Sequence, residues 1–332
     1  MTVRIGTRAS KLALTQTQQT ADRLAAVGGF PVELVHVRTD GDVLKGSLSQ
    51  MGGTGVFVTA LRDALLRNEC DVAVHSLKDL PTASPVGLVL AATPRRADVR
   101  DVLCSRDGLK LADLPSGATV GTGSPRRAAQ LRAARPDLQI IDIRGNVDTR
   151  LGRVPGLPGN VTDQMVPGKT CDLDAVVLAA AGLERISRLD AVSEFLETGV
   201  MLPAAGQGSL AIECRTADAP RKAGSTEGSQ GVLAQALAAL DDSDTRLAVT
   251  AERALLARLE AGCAAPVGAY AYRKGSMLHL EAVVCAVDGT ASVRDKRATD
   301  GLTEVGATLL GIELAEVLLA GGAAGIADLQ AS

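Results

Sequence analysis

Apolar and polar positions change period repeatedly along the first eighty residues. Val3–Gly6 is a short apolar run of strand length, and Ser10 after it can cap a helix running to about Val27, where Gly28-Gly29 stops it. Val32–Val37 reads as a second strand. A Gly-rich loop, Gly52-Gly53-Thr54-Gly55, leads into a helix with Phe57, Leu61, Ala64 and Leu65 on one face, and Val72–Val74 closes the unit as a third strand. Strand–helix–strand–helix–strand predicts a mainly parallel sheet covered by helices.

The same grammar returns downstream. Ala118–Gly121 reads as a strand, with Ser124 as cap and Pro125 at the first position of the next helix. Leu138–Ile143 is a strand, Arg144-Gly145-Asn146 opens a short helix, and Asp174–Ala180 is an apolar strand leading to Gly182 and a further helix. Between them, the Pro/Gly-rich Val154–Thr170 reads as an exposed loop. An apolar strand follows at Leu210–Cys214, and Thr216–Gly231 reads as a polar linker. The remainder predicts helices at about 231–240 and 244–261, strands at about 267–272 and 278–287, and a final helix near 302–320.

Composition narrows the class. The chain has 332 residues, 46% hydrophobic, with a net charge of −3, enough for two or three domains with real cores. No apolar run approaches membrane-spanning length, and Met1-Thr2-Val3-Arg4-Ile5-Gly6 reads straight into a strand without a secretory signal, which makes a cytoplasmic protein the expectation. Six scattered cysteines with no CxxC and no His at metal spacing argue against structural zinc, and no metal site is expected. Aromatics at 2% with no Trp remove base-stacking platforms, and the mild acidity argues against a nucleic-acid backbone binder. Gly52-Gly53-Thr54-Gly55 lacks the Gly-Lys-Ser/Thr of a phosphate-binding loop.

The basic residues are 27 Arg and 8 Lys. Four segments bring Arg to a strand-to-helix turn: Gly6-Thr7-Arg8-Ala9-Ser10, Gly121-Thr122-Gly123-Ser124-Pro125-Arg126-Arg127, Ile143-Arg144-Gly145-Asn146 with Arg150, and Gly182-Leu183-Glu184-Arg185. A helix N-terminus is already positive, so Arg there calls for an anionic partner: an internal Asp or Glu, or a ligand bearing carboxylates or phosphates. The segment Val74-His75-Ser76-Leu77-Lys78-Asp79-Leu80-Pro81 delivers four proton-sharing side chains to a strand end, where ligands of α/β sheets sit. Read alone, it is equally a solvated turn. Cys263 follows Gly262 on a loop, either as a nucleophile or as an attachment point; Cys214 and Cys285 lie in apolar strand patterns.

In order and spacing, Arg4–Ser10, Gly52–Val58, Val74–Pro81, Gly121–Leu131, Arg144–Leu151, Ala181–Arg185, Met201–Arg215, Asp241–Arg253 and Leu259–Ala271 together resemble the porphobilinogen deaminase (hydroxymethylbilane synthase) family, nearly end to end. The resemblance implies an α/β fold of two lobes like type II periplasmic binding proteins plus a smaller C-terminal α+β domain. The bounds expected are 1–95 with 196–215, then 99–192, then 230–332. It implies a transferase of porphyrin and heme biosynthesis that joins porphobilinogen units head to tail, releasing ammonia, into a linear tetrapyrrole. A dipyrromethane cofactor would be tied to Cys263 by a thioether. Asp79 would be the catalytic carboxylate, with Lys78 beside it. Lys78, Ser76, Thr122, Ser124, Arg126, Arg127 and Arg150 would hold the cofactor. Arg8, Ser10, Arg144, Arg150 and Arg185 would bind substrate, whose acetate and propionate groups need paired donors. A monomer is expected. Three departures stand out: Gln50 and Thr54 where many members carry Lys, Gly123 in place of a hydroxyl residue, and the longer segments Val154–Thr170 and Thr216–Gly231. The competing class is a two-lobed solute-binding protein without catalysis, which has no need of Asp79 or a cysteine at 263.

Overall fold

The structure, a computed structural model, describes residues 2–37, 55–158, 171–221, 226–262 and 265–329. The expectations for Gln50, Thr54, the Gly52–Thr54 loop and Cys263 lie outside the described residues. The chain begins with β1 (Val3–Thr7), α1 (Lys11–Gly28), β2 (Val32–His36), α2 (Gly55–Leu66), β3 (Val72–Ser76) and β4 (Leu88–Ala92). Ser10 caps α1, its hydroxyl accepting from the Ala13 N–H at 3.3 Å, and Gly29 ends it in the left-handed conformation (φ 64°). Next come β5 (Asp101–Ser105), β6 (Thr119–Gly121), α3 (Pro125–Ala134), β7 (Gln139–Ile141), α4 (Val147–Leu151), β8 (Ala175–Ala179), α5 (Ala180–Arg185) and β9 (Glu194–Leu196). The chain returns through β10 (Leu210–Arg215), then α6 (Val232–Leu240), α7 (Ser243–Arg258), β11 (Val267–Lys274), β12 (Met277–Cys285), β13 (Ser292–Thr299) and α8 (Glu304–Ala320).

Two five-stranded sheets share one plan. The first runs β2-β1-β3-β10-β4 and the second β7-β6-β8-β5-β9. In each, three neighbouring strands are parallel and the fourth is antiparallel. The antiparallel member is donated by a crossing segment: β10 returns from the second lobe, and β5 enters the second lobe from the first. The α/β two-lobed fold, with its mainly parallel sheets and smaller C-terminal region, is as the sequence predicts. That region is a β11-β12-β13 meander covered by α7 and α8, with Leu255, Leu278, Leu280, Leu314 and Leu318 buried between the layers.

Several local expectations are corrected. Val154 is fully buried and Leu157 nearly so, in the core of the second lobe, so the start of the 154–170 segment packs where an exposed loop is expected; 159–170 lies outside the described residues. The 216–231 segment is tied down by a short turn at Thr216–Asp218, burial of Ala219 and a Pro220–Ser229 bridge, so its described part is no free linker. Ser124 stands at the cap position of α3, but its hydroxyl makes no capping bond; its N–H donates to Thr122 Oγ1 at 3.2 Å. Gly182 lies inside α5, which starts at Ala180.

Candidate active site

The parallel strands of the first sheet end at one edge. There β1 gives way to Arg8 and Ser10, while β3 gives way to a single tight turn, Leu77–Asp79. A cavity of about 110 Å³ lies between them, with Arg8, Ser10, Gln16, His75, Ser76 and Asp79 as its polar lining and Leu12, Val58, Leu61 and Val74 among its apolar walls. Four of the expected site residues therefore share one enclosure. Ser76 exchanges hydrogen bonds with the Gln16 amide at 3.1 and 3.2 Å, which ties the strand end to α1. Behind it, Glu213 on β10 is fully buried and accepts from Arg62 (2.9 and 3.1 Å), with His75 Nε2 at 3.1 Å. These partners hold its carboxyl at about 2, below its ordinary 4.5, against the opposing effect of burial. From the third region, Arg253 donates to the carbonyls of Leu80, Pro81 and Thr82 at 2.7–3.0 Å, fixing the chain just beyond Asp79.

A second cluster faces Lys78. Asp101, fully buried at the start of β5, accepts from Arg126 at 2.8 Å and from Arg127 at 2.7 and 3.0 Å. The two arginines also donate to the backbone oxygens of Leu202 and Val177. Here the internal partner weighed for arginines at helix starts is present: Asp101 balances the repulsion between the α3 N-terminus and its cations. Asp101, with Asp79 adjoining Lys78, stands against Arg126, Arg127 and Lys78, so the cluster keeps excess positive charge. Burial first, and Arg127 next, push the Lys78 ammonium down to about 8, against the pull of Asp79 and Asp101.

The remaining expected residues lie around this pair of clusters. Thr122 is buried, and Arg150 donates to the Gly145 carbonyl at 2.9 Å. Burial lowers the Arg150 pKa, reinforced by the cations Arg127 and Arg144, while Asp142 and Asp79 raise it. Arg144 is exposed and pairs with exposed Asp142 at 3.2 Å. Arg185 corrects the sequence reading: it sits in the last turn of α5, where a cation suits the helix dipole, and donates to the Gly208 carbonyl at 2.8 Å. Burial lowers its pKa to about 10. Gly123 has a structural reason, since a Cβ there would lie 2.4 Å from the Ile143 carbonyl oxygen, in the loop that leads to Arg144.

The segments joining the lobes are held by a second buried carboxylate. Glu252 of α7 accepts from Arg96 at 2.6 and 3.1 Å, from the Gly206 N–H at 2.6 Å and from the Ala271 N–H at 2.8 Å. Asp101, Gln207, Glu213, Glu252, Arg96 and Arg253 all escaped the sequence reading. The Gly206-Gln207-Gly208 triplet was the available signal, because both glycines adopt positive φ.

Comparison with known proteins bears on what this arrangement does. The family model described as "Porphobilinogen deaminase, dipyromethane cofactor binding domain" matches residues 3–223, and "Porphobilinogen deaminase, C-terminal domain" matches residues 246–320. The chain belongs to the porphobilinogen deaminase family. A porphobilinogen deaminase of Cutibacterium acnes is 54% identical, over 99% of this chain and 98% of its own. That of Leifsonia xyli is 53% identical, over 99% and 95% respectively. A periplasmic substrate-binding protein of an ABC transporter from Coxiella burnetii, of known structure, matches 72% of this chain and 91% of its own at 13% identity and a TM-score of 0.41. The porphobilinogen deaminase cofactor-domain model spans both five-stranded sheets and both polar clusters.

Proposed function

We propose that the chain is a hydroxymethylbilane synthase. It condenses porphobilinogen head to tail, releasing one ammonia per addition, into a linear tetrapyrrole, on a dipyrromethane primer bound through a thioether to Cys263. The observation that carries this reading is the position of Asp79. It lines a cavity with Arg8 and Ser10, while its neighbour Lys78 turns toward Arg126 and Arg127.

The donor set fits the dipyrromethane. Lys78, Arg126, Arg127 and Arg150 bring more positive charge than Asp101 cancels, which suits a group bearing acetate and propionate side chains. Ser76, Thr122 and Ser124 add short polar contacts. When bound, the dipyrromethane supplies the free pyrrole carbon to which the first substrate unit is joined. Asp79 gives a proton to the departing amine of porphobilinogen, and as a carboxylate then stabilises the cationic methylene-pyrrolenine left behind. A carboxyl group serves both roles; an amide serves neither. Arg8, Ser10, Arg144, Arg150 and Arg185 bind the carboxylates of the substrate and growing chain. Residues 1–95 with 196–215 and residues 99–192 act as the two lobes, and 230–332 as the cofactor-attachment domain. Among the described residues no helix is long and apolar enough to cross a membrane. We take the enzyme to be a cytoplasmic monomer, independent of nucleic acid.

The test is the mass of the denatured full chain. An adduct of dipyrromethane size, absent from Cys263→Ser, is expected, and Asp79→Asn should keep the adduct while losing nearly all turnover. An unmodified wild-type chain from a host that makes porphobilinogen would instead favour a two-lobed binding protein.

A further inference from the structure

Gln207 lies where the chain returns from the second lobe to the first. Gly206 and Gly208 on either side have φ values of 73° and 86°, a region that L side chains rarely adopt. A Cβ on Gly208 would lie 2.7 Å from the Ala97 carbonyl oxygen, so the outgoing and returning segments touch backbone to backbone. The Ala97 N–H donates to the Gly208 carbonyl at 3.3 Å, which closes that contact. Gln207 itself is fully buried.

Its amide is divided between the lobes. The side-chain carbonyl accepts from Lys78 Nζ of the first lobe at 3.3 Å. The amide nitrogen donates to Asp101 Oδ1 and to the Val99 carbonyl on the second-lobe side, both at 2.8 Å. The backbone carbonyl of the same residue accepts from Arg96 Nε at 2.8 Å, and Arg96 is clamped by Glu252. Only a side chain with a donor at one end and an acceptor at the other meets both demands.

Resting on the deaminase reading, we propose that Gln207 is a positioning residue, holding the Lys78–Asp79 turn of one lobe in register with the Asp101–Arg126–Arg127 cluster of the other through each addition. It touches Lys78 and Asp101 and acts on Asp79 through them. A hydrocarbon in its place leaves a half-buried ammonium and a buried carboxylate each short of a partner, and frees the turn to drift.

The experiment uses the full holoenzyme with Gln207→Leu and Gln207→Glu. In Gln207→Leu the denatured mass should still carry the dipyrromethane adduct. Its kcat should fall on the order of 100-fold, the loss that a displacement of about 1 Å brings, with KM little changed. Gln207→Glu keeps an acceptor for Lys78 but sets a carboxylate against Asp101. The charged groups around it are Lys78 and Asp101, with Arg126 and Arg127 behind Asp101 and Arg96 on the backbone side. Protonation restores the missing donor, so the kcat of this variant, relative to wild type, should rise as pH falls, while Gln207→Leu stays flat. A loaded Gln207→Leu enzyme with wild-type kcat overturns the proposal, as does loss of the adduct in that variant alone, which makes the residue a cofactor anchor. If Gln207→Leu fails to fold, a Gln207→Glu profile parallel to wild type overturns it as well. Absence of the adduct from wild type sinks the deaminase reading first and is thereby distinguishable.

Discussion

Replacing Glu213 with Gln should loosen the first lobe by an amount that depends on pH. Glu213 has no solvent exposure, Arg62 grips both of its oxygens, and His75 adds a contact at 3.1 Å. The fall of its carboxyl from 4.5 to about 2 corresponds to about 3 kcal/mol of stability, at 1.36 kcal/mol per tenfold in the proton equilibrium. A carboxyl depressed by folding stabilises the fold above its unfolded pKa. That contribution is complete above about pH 5, is about half spent near pH 3, and vanishes below the folded value of about 2. The direction is therefore loss on acidification.

Amide hydrogen exchange on Val72–Ser76 and Leu210–Arg215, the paired strands that carry His75 and Glu213, reads this locally without requiring the whole chain to unfold at once. At pH 7 the variant should lose protection on the order of 100-fold relative to wild type, the equivalent of about 3 kcal/mol. At pH 3 the gap should shrink to about tenfold. A gap smaller than about fivefold at pH 7 would mean that desolvation of the buried Glu213–Arg62 pair already offsets their attraction. A gap independent of pH would show that shape, and not charge, holds the strand pair.

Two further outcomes follow from the same contacts. Arg253→Met removes donors from the Leu80, Pro81 and Thr82 carbonyls, each bond contributing about 1.5–3 kcal/mol; kcat should drop while the cofactor adduct stays, and unchanged kcat would show that the Asp79 turn holds its own shape. Gly208→Ala puts a Cβ against the Ala97 carbonyl at a φ of 86°, costing at least about 1–2 kcal/mol; thermal unfolding should begin earlier, and a transition matching wild type would mean that the two crossing segments can part freely.

Local features of the fold were legible, and remote partners were not. Ser10 occupies the cap position expected of it and accepts the Ala13 N–H, because a cap is decided by the next three residues, whereas Ser124 reaches its cap position without making the bond. β13 was missed: Ser-Val-Arg-Asp-Lys-Arg-Ala-Thr is a largely exposed edge strand with no apolar alternation, and its order comes from pairing with β12. β5 was missed for the opposite reason, since it is buried along its whole length and opens on a charged residue. Among the candidate site residues, those at strand ends could be singled out one by one. Their supports could not, because Glu213 and Arg62 lie 151 residues apart and Arg96 and Glu252 lie 156 apart. Glu252 reads in sequence like any solvent-facing helix residue.

The structure divides the many basic residues into two electrostatic populations. Arg4, Arg67, Arg100, Arg135 and Arg153 lie on or near the surface with carboxylate partners, and those partners raise their pKa values. Lys78, Arg126, Arg150 and Arg185 shift the other way, with burial as the first cause in each case. Arg150 and Arg185 meet backbone carbonyls, which satisfy hydrogen bonds without cancelling charge. Arg126 shares the Asp101 carboxylate with Arg127, much as Arg4 shares Asp71 with Arg215. Enclosing Arg150 and Arg185 against carbonyls alone has a cost that, on the proposed reading, an occupant bearing several carboxylates would relieve, each ion pair pulling a pKa back up. On the proposed reading, ligand carboxylates would supply the charge that backbone carbonyls leave uncancelled at Arg150 and Arg185.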